Sequence, residues 1–149
     1  MSLLWEVLAF GEMTTPVLYE VMRMRQAVFV VEQECAYEDL DNLDQDALHM
    51  LCWRDDELLA YQRCLPPGVS FAESALGRIV VAPGGRGLQL GRELVQRGID
   101  HNTAQWPDSD IQIGAQSHLE AFYQSLGFVK SGDEYVEDGI PHIHMIRKS

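Results

Sequence analysis

Long apolar runs are missing from this chain of 149 residues, in which no stretch approaches the roughly 20 consecutive apolar residues that span a bilayer. Its first residues, Met1-Ser2-Leu3-Leu4-Trp5-Glu6, carry an early glutamate and no basic segment ahead of an apolar core, so they do not read as a signal peptide. Both absences predict a cytoplasmic protein with no membrane partner. Cysteine is scarce: Cys35, Cys52 and Cys64 form no C-x-x-C pair and no metal-ligand spacing, and are expected as buried or incidental free thiols. Nothing local marks any of them as a nucleophile. Positive charge is short as well, with 11 Lys and Arg against 23 Asp and Glu and a net charge of −12. Such a chain lacks the basic footprint that a nucleic-acid backbone requires, and its acidic surface favours cationic ligands. Repeats, low-complexity tracts and linkers are absent too, while 46% apolar and 23% charged residues make a globular balance. Residues 1–149 are therefore read as one domain.

What is present is a succession of short elements. Residues 3–9 read as a first strand. Thr14-Thr15-Pro16 offers a helix start, with a hydroxyl cap and proline in the first turn, and Leu18, Val21, Met22, Val28 and Phe29 follow at helical spacing. Residues 32–46 are acidic and irregular. Residues 49–53 and 58–65 are apolar runs joined by Arg54-Asp55-Asp56-Glu57, a hairpin signal. A strand over 75–81 enters the turn Pro83-Gly84-Gly85-Arg86-Gly87. A helix over 88–104 follows, with Leu90, Leu94, Val95 and Ile99 on its apolar face. Residues 111–115 form another strand, Ser117 caps a short helix that ends at Gly127, and a final hairpin turns at Glu137-Asp138-Gly139. The order β-α-β-β-β-α-β-α-β-β predicts an α/β or α+β fold with helices packed on a sheet.

The segment from Gly77 to Leu94 carries the most chemistry. It runs from a strand through a glycine-rich turn into a helix N-terminus, where unpaired backbone N–H groups and the helix dipole together favour a pyrophosphate. Two common phosphate motifs fail here. A P-loop needs lysine after its last glycine, but Gly91 is followed by Arg92-Glu93. The dinucleotide fingerprint would place its third glycine at position 90, which is leucine. An ordinary strand–turn–helix corner is the other reading of the segment.

Arg86-Gly87-Leu88-Gln89-Leu90-Gly91 resembles the pyrophosphate loop [QR]-x-x-G-x-[GA] of the GNAT superfamily of acetyltransferases, with Gln89 in place of the middle glycine. The preceding Ile79-Val80-Val81 looks like that family's strand for the acetyl and pantetheine groups. Farther on, Ala121-Phe122-Tyr123-Gln124-Ser125-Leu126-Gly127-Phe128 is similar to its second cofactor motif, F-Y-x-x-x-G-F, with Gln116 where an asparagine is common. Resemblance to the ElaA-like subfamily extends over nearly the whole chain, through Val30 to Tyr37, the segment from Asp41 to His49, Ala115 to Leu119 and Tyr135 to Ile143.

The resemblance implies a GNAT-like mixed, mostly antiparallel sheet of about six to seven strands, acetyl-CoA as co-substrate and an N-acetyltransferase activity. It places the cofactor on Ile79, Val80, Val81, Arg86, Gly87, Leu88, Gln89, Leu90, Gly91, Arg92, Gln116 and Tyr123. A backbone donor near Val81 would meet the thioester carbonyl. Tyr123 would be the acid for the departing thiolate, or else a core aromatic beside Phe122. For the base, Glu32, Glu34 and His49 are candidates, and a water-relayed deprotonation is the alternative.

The acceptor would be a small-molecule amine or a lysine or N-terminal amine. No apolar stripe specifies a homodimer interface, although dimers are common in such folds. Glu32, Glu34, Glu38, Asp39, Asp41, Asp44 and Asp46 fall between Arg25 and Arg54 with no lysine or arginine among them. They are either a solvated loop or a funnel for a polyamine, an amino sugar or a lysine side chain. His142 and His144 alternate along a strand and so share a face. They would line the acceptor cleft or pair with carboxylates, and no metal is expected. A coenzyme A-binding module without catalysis, or a nucleotide-phosphate binder, are the competing functions.

Overall fold

The computed structural model describes residues 2–149. Seven strands form one sheet in the order β1-β2-β3-β4-β5-β7-β6: β1 Leu4–Ala9, β2 Leu48–Arg54, β3 Glu57–Leu65, β4 Ser74–Val81, β5 Ile111–Gln116, β6 Val129–Glu137 and β7 Ile140–Arg147. Three α-helices, α1 Thr15–Arg25, α2 Leu90–Gln105 and α3 Glu120–Gln124, complete the expected order. All neighbouring strands are antiparallel except β4 and β5. A parallel pair needs a crossover, and α2 supplies it.

Thr14 Oγ1 caps α1 by accepting from Val17 N–H at 3.3 Å, with proline in the first turn. Apolar spacing continues to Val28 and Phe29 because the helix widens into a π-helical segment, Gln26–Glu32. Val21, Met24 and Val28 pack against Leu51, Leu58, Tyr61 and Val80 on one face of the sheet. The opposite face carries α2 and α3. There Leu90 and Leu94 cover Met50, Cys52 and Leu59, while Val95, Ile99, Tyr123 and Phe128 cover Ile111, Ile113, Ala115, Ile143 and Met145. The three cysteines are free and buried.

Two expectations change. Residues 88–89 lie outside α2, because Gln89 takes left-handed backbone angles (φ 54°, ψ 24°) and the helix begins at Leu90. Ser117 does not cap α3. It opens a 3-10 turn, Ser117–Leu119, whose capping position is Gln116 and has no side-chain bond.

Part of the acidic segment is held within the protein: three arginines pin Asp39, Asp41 and Asp44, while Glu32, Glu34, Glu38 and Asp46 stay exposed. Arg25, fully buried, donates from Nε to Asp39 Oδ2 (2.9 Å), from Nη1 to Asp44 Oδ1 (2.8 Å) and from Nη2 to the Asp39 carbonyl (2.9 Å). Arg63 binds Asp41 at 2.7 and 2.8 Å and Asp44 at 3.0 Å. Arg78 completes the set through Asp39 Oδ1 (2.8 Å) and Asp41 Oδ2 (3.2 Å). Three positive and three negative charges thus compensate one another, as burial demands. Burial alone would raise the carboxyl pKa of Asp41, but Arg63 and Arg78 bring it down to about 2.

His49 belongs to the same assembly. Its Nε2 lies 2.9 Å from the Asp44 carbonyl and its Nδ1 2.6 Å from the Tyr61 hydroxyl. The carbonyl can only accept, so Nε2 carries the hydrogen and the neutral ring accepts from Tyr61. Burial, chiefly, and then Arg25 and Arg63 lower its pKa below the ordinary 6.5, with Asp44 opposing. The unfolded chain therefore binds more protons than the folded one just below pH 6.5. Stability should fall as pH drops through that point toward the folded-state value, by at most about 1.4 kcal/mol per pH unit. Urea midpoints at pH 7.5, 6.5 and 5.5 test this. A His49→Gln chain should show a flatter profile than the parent, and parallel profiles would refute the assignment.

Candidate active site

β4 and β5 meet at two register positions, Ser74↔Ile111 and Ala75↔Gln112. The Asn102 side chain fastens that start by donating to Ser74 Oγ (3.3 Å) and the Ala75 carbonyl (3.1 Å). Beyond it the strands part with no further register pair among the described residues, so 77–81 and 113–116 become the walls of a divergence. One cause is a bulge in β4. Tyr61 pairs with Val80 and Arg63 with Gly77, so three steps in β4 match two in β3, and the extra residue, Arg78, has φ +49°. The bulge turns Arg78 toward Asp39 and Asp41, and so couples the strand's shape to the buried ionic assembly.

N–H groups alternate sides along a strand. Ala82 N–H is bonded to the Leu59 carbonyl at 2.8 Å, on the β3 side. The N–H and C=O of Val81 consequently point the other way, into the divergence, where the Val81 carbonyl accepts from Arg86 Nε at 3.2 Å. Past Val81 the chain makes a 3-10 turn, Pro83–Gly85, and enters α2 through Gly87 (φ +84°) and Gln89, both left-handed. Left-handed geometry costs an L-residue about 1–2 kcal/mol, a cost glycine escapes. Gln89 thus occupies a glycine-type position. Gln89→Gly should raise the thermal midpoint by roughly 2 °C, since glycine's extra freedom in the unfolded chain offsets part of the gain. A lowered midpoint in a thermal-unfolding scan would contradict this.

Arg86, at the head of this loop, is gripped by Glu32 through two bonds of 2.7 and 2.6 Å. The pairing lowers the Glu32 pKa, so this carboxylate is committed to the arginine. Arg92 donates to Ser125 Oγ at 2.8 Å and links the first turn of α2 to the end of α3. Leu88 is exposed and Leu90 buried. Ile79 packs against the cluster that contains Tyr123. The Tyr123 ring lies edge-on to Phe122 and Phe128, at 5.1 and 5.9 Å, and burial pushes its pKa up to about 12. Its hydroxyl bonds no described residue.

The opposite face holds a group that sequence reasoning assembled only in part. In β5, Ile111, Ile113 and Ala115 point to α2 and α3, so Gln112, Gly114 and Gln116 point away. Their register partners across β7 include His144 for Gly114 and His142 for Gln116, which confirms the shared face of the two histidines. Tyr135 of β6 stacks on both, at 4.6 Å from His144 and 5.8 Å from His142, and Phe71 meets His144 edge-on at 5.6 Å. Tyr135 gave no sequence signal beyond its place in the resemblance. Arg63 and Arg78, charged residues inside apolar strands, are the signal that could have revealed the buried ionic assembly. Glu34 is exposed on a left-handed turn residue (φ +51°), and Cys35 Sγ contacts the Asp138 carbonyl at 3.4 Å, joining that turn to the β6–β7 hairpin. His49, with both nitrogens engaged and the side chain fully buried, has no lone pair to offer an acceptor. No group of three His, Cys, Asp or Glu suited to a metal occurs among the described residues. Two cavities, of about 420 Å³ beside Trp5 and Arg97 and about 470 Å³ beside Val129 and Lys148, lie away from these residues.

A bulged strand that parts from its parallel neighbour beside a helix-initiating turn is the architecture of acyl-CoA-dependent acyltransferases, and the comparisons agree. Residues 18–149 match the family model described as acetyltransferase (GNAT) domain. The chain belongs to that family and is an acyltransferase. It is similar to protein ElaA of Escherichia coli, 42% identical over 146 residues that cover 97% of this chain and 95% of the relative. The crystal structure of Escherichia coli ElaA matches with a TM-score of 0.92 over 99% of this chain and 100% of that one, at 40% identity. An acyl-CoA N-acyltransferase from Pseudomonas aeruginosa matches with a TM-score of 0.94 at 40% identity over 98% and 99% of the two chains. A Bacillus subtilis acetyltransferase in complex with CoA shares the fold, with a TM-score of 0.71 at 18% identity over 99% of each chain.

Proposed function

We propose that this chain transfers the acetyl group of acetyl-CoA to the primary amine of a cationic acceptor, by direct attack of the amine on the thioester. The observation that carries the reading is the Val81 N–H, turned into the β4–β5 divergence immediately before the loop that opens α2. A thioester lying along residues 79–81 would set its carbonyl oxygen against that donor, which would stabilise the negative charge that grows there. The pyrophosphate would sit on the loop 86–91, at the N-terminus of α2, with Arg86 and Arg92 beside it. Gln116, at the far end of β5, would border the pantetheine. On the α2–α3 side Tyr123 would hydrogen-bond the departing sulfur. The acceptor would enter from the other face, past Tyr135, His142 and His144. Exposed Glu34, Glu38, Glu137 and Asp138 supply negative charge there, since Asp39, Asp41 and Asp44 are compensated within the protein. That charge favours a polyamine, an amino sugar or a lysine side chain over a neutral amine.

Calorimetry with acetyl-CoA, followed by thiol release against a panel of amines, tests the reading. Binding together with amine-dependent thiol release supports it. Binding without release on any amine would instead favour a coenzyme A-binding module. No heat from acetyl-CoA or coenzyme A on folded protein would sink both.

A further inference from the structure

An alkylammonium ion must lose a proton before its nitrogen can attack, and the acceptor face holds few groups able to take one. Asp39, Asp41 and Asp44 are bound by arginines, Glu32 by Arg86, and His49 has both nitrogens engaged. Glu34 is exposed, and no described side chain orients its carboxylate. Tyr37 donates its hydroxyl hydrogen to Asp39 at 2.9 Å. In His144 the lone pair of Nδ1 is met by the Gln112 amide at 3.2 Å.

His142 differs from all of these. Its Nδ1 stands 2.7 Å from the carbonyl oxygen of Ile140, its neighbour two residues back. A carbonyl oxygen only accepts, so Nδ1 carries the hydrogen and the lone pair of the neutral ring is on Nε2. No described donor meets Nε2, and the Glu137 carboxylate lies 3.8 Å from it. The ring is held against Tyr135, at 5.8 Å and 26°. Tyr135 in turn lies across β7 toward β5, where Gly114 admits its hydroxyl: a Cβ at position 114 would sit 2.9 Å from that oxygen. The His142 side chain is 12% exposed. In register it stands opposite Gln116, the residue of β5 farthest from the joint with β4.

We propose that His142 is the proton acceptor for the incoming amine, an inference that rests on the acetyl-transfer reading above. Nε2 takes one proton from the ammonium and leaves a neutral amine. The nitrogen lone pair forms the C–N bond at the thioester carbon, and the C–S bond breaks with its electrons on sulfur. The second proton shed by nitrogen ends on the thiolate, and His142 returns the first to water. The balance is ammonium plus acetyl-CoA giving amide, free coenzyme A and one proton. The groups that face the ring are Glu137 and Tyr135 from β6 and His144 from β7.

The test uses the full chain with acetyl-CoA and the amine that the wild type turns over fastest. His142→Ala and His142→Asn are compared with it. The asparagine amide can keep the bond to the Ile140 carbonyl but has no lone pair in the position of Nε2. Both should lose kcat by roughly 10²–10⁴-fold, while the calorimetric Kd for acetyl-CoA stays within about twofold of wild type. Added imidazole should restore at least about tenfold of the rate to His142→Ala. Wild-type kcat in His142→Asn, with acetyl-CoA still bound, would overturn the proposal and leave the acetyl-transfer reading intact. Absence of turnover in the wild type on every amine would remove the acetyl-transfer reading, and this assignment with it.

Discussion

Replacing Arg25 with methionine should remove about 3–5 kcal/mol of folding stability, measured as the shift in free energy from urea unfolding. Methionine would fill much of the same space, so cavity formation is not the main cost. The loss comes from stranding what Arg25 holds: the Asp39 carboxylate, the Asp39 carbonyl and the Asp44 carboxylate all lose a donor inside the protein. Removing one partner of a buried ion set leaves an uncompensated charge, which is worse than never having built the set. Arg25→Lys should recover little, because three bonds run in three directions from a rigid fork and an ammonium cannot reproduce that geometry. A whole domain is stabilised by only about 5–15 kcal/mol, so the methionine variant should be close to unfolding at 37 °C. A shift below about 1 kcal/mol would mean that the carboxylates find other donors.

Tyr123→Phe should lower kcat by roughly ten- to a hundredfold without changing the Kd for acetyl-CoA. The size follows from two pKa values. With Tyr123 pushed up to about 12 and an ordinary thiol near 8.5, full proton transfer to the departing sulfur would be uphill by about 5 kcal/mol. Donation of a hydrogen bond to a thiolate is the more favourable service, and a bond to a charged group contributes about 1.5–3 kcal/mol. That range converts to the fold-change given. Folding stability should be unchanged, because the hydroxyl bonds no described residue. A loss beyond about 10⁴-fold would point to obligatory proton transfer, and an unchanged kcat would return Tyr123 to the core.

The sequence disclosed the order of elements because each one is local. Apolar period, the Thr14 cap and the turn residues act within a few positions of themselves, and those short-range signals placed every strand and helix in the right succession. The turn ahead of α2 was legible for the same reason, whereas the departure at Gln89 showed only against the family's loop pattern. Pairings at a distance were hidden. The acidic segment read as either a solvated loop or a funnel because the counterions of its buried part, Arg25, Arg63 and Arg78, lie up to 39 residues away along the chain. The Glu32–Arg86 grip spans 54 positions, and no rule of spacing connects them. The Arg78 bulge depends on how two strands register, which one strand cannot report. That Tyr135 stacks on His142 and His144 emerged only when β6 folded back across β7.

The short pairing of β4 with β5 has a mechanical consequence. Two blocks, β1–β4 with α1 and β5–β7 with α3, share few backbone hydrogen bonds, and Ser74 of β4, bonded to Ser109 Oγ and the Asp110 carbonyl just ahead of β5, acts as their rivet. Amide exchange should then show the two blocks opening at different free energies. A ligand lying in the seam would serve as a removable eighth strand and would tighten both units by the same mass-action increment. For such a chain, resistance to heat and proteolysis would track the supply of its own acyl donor.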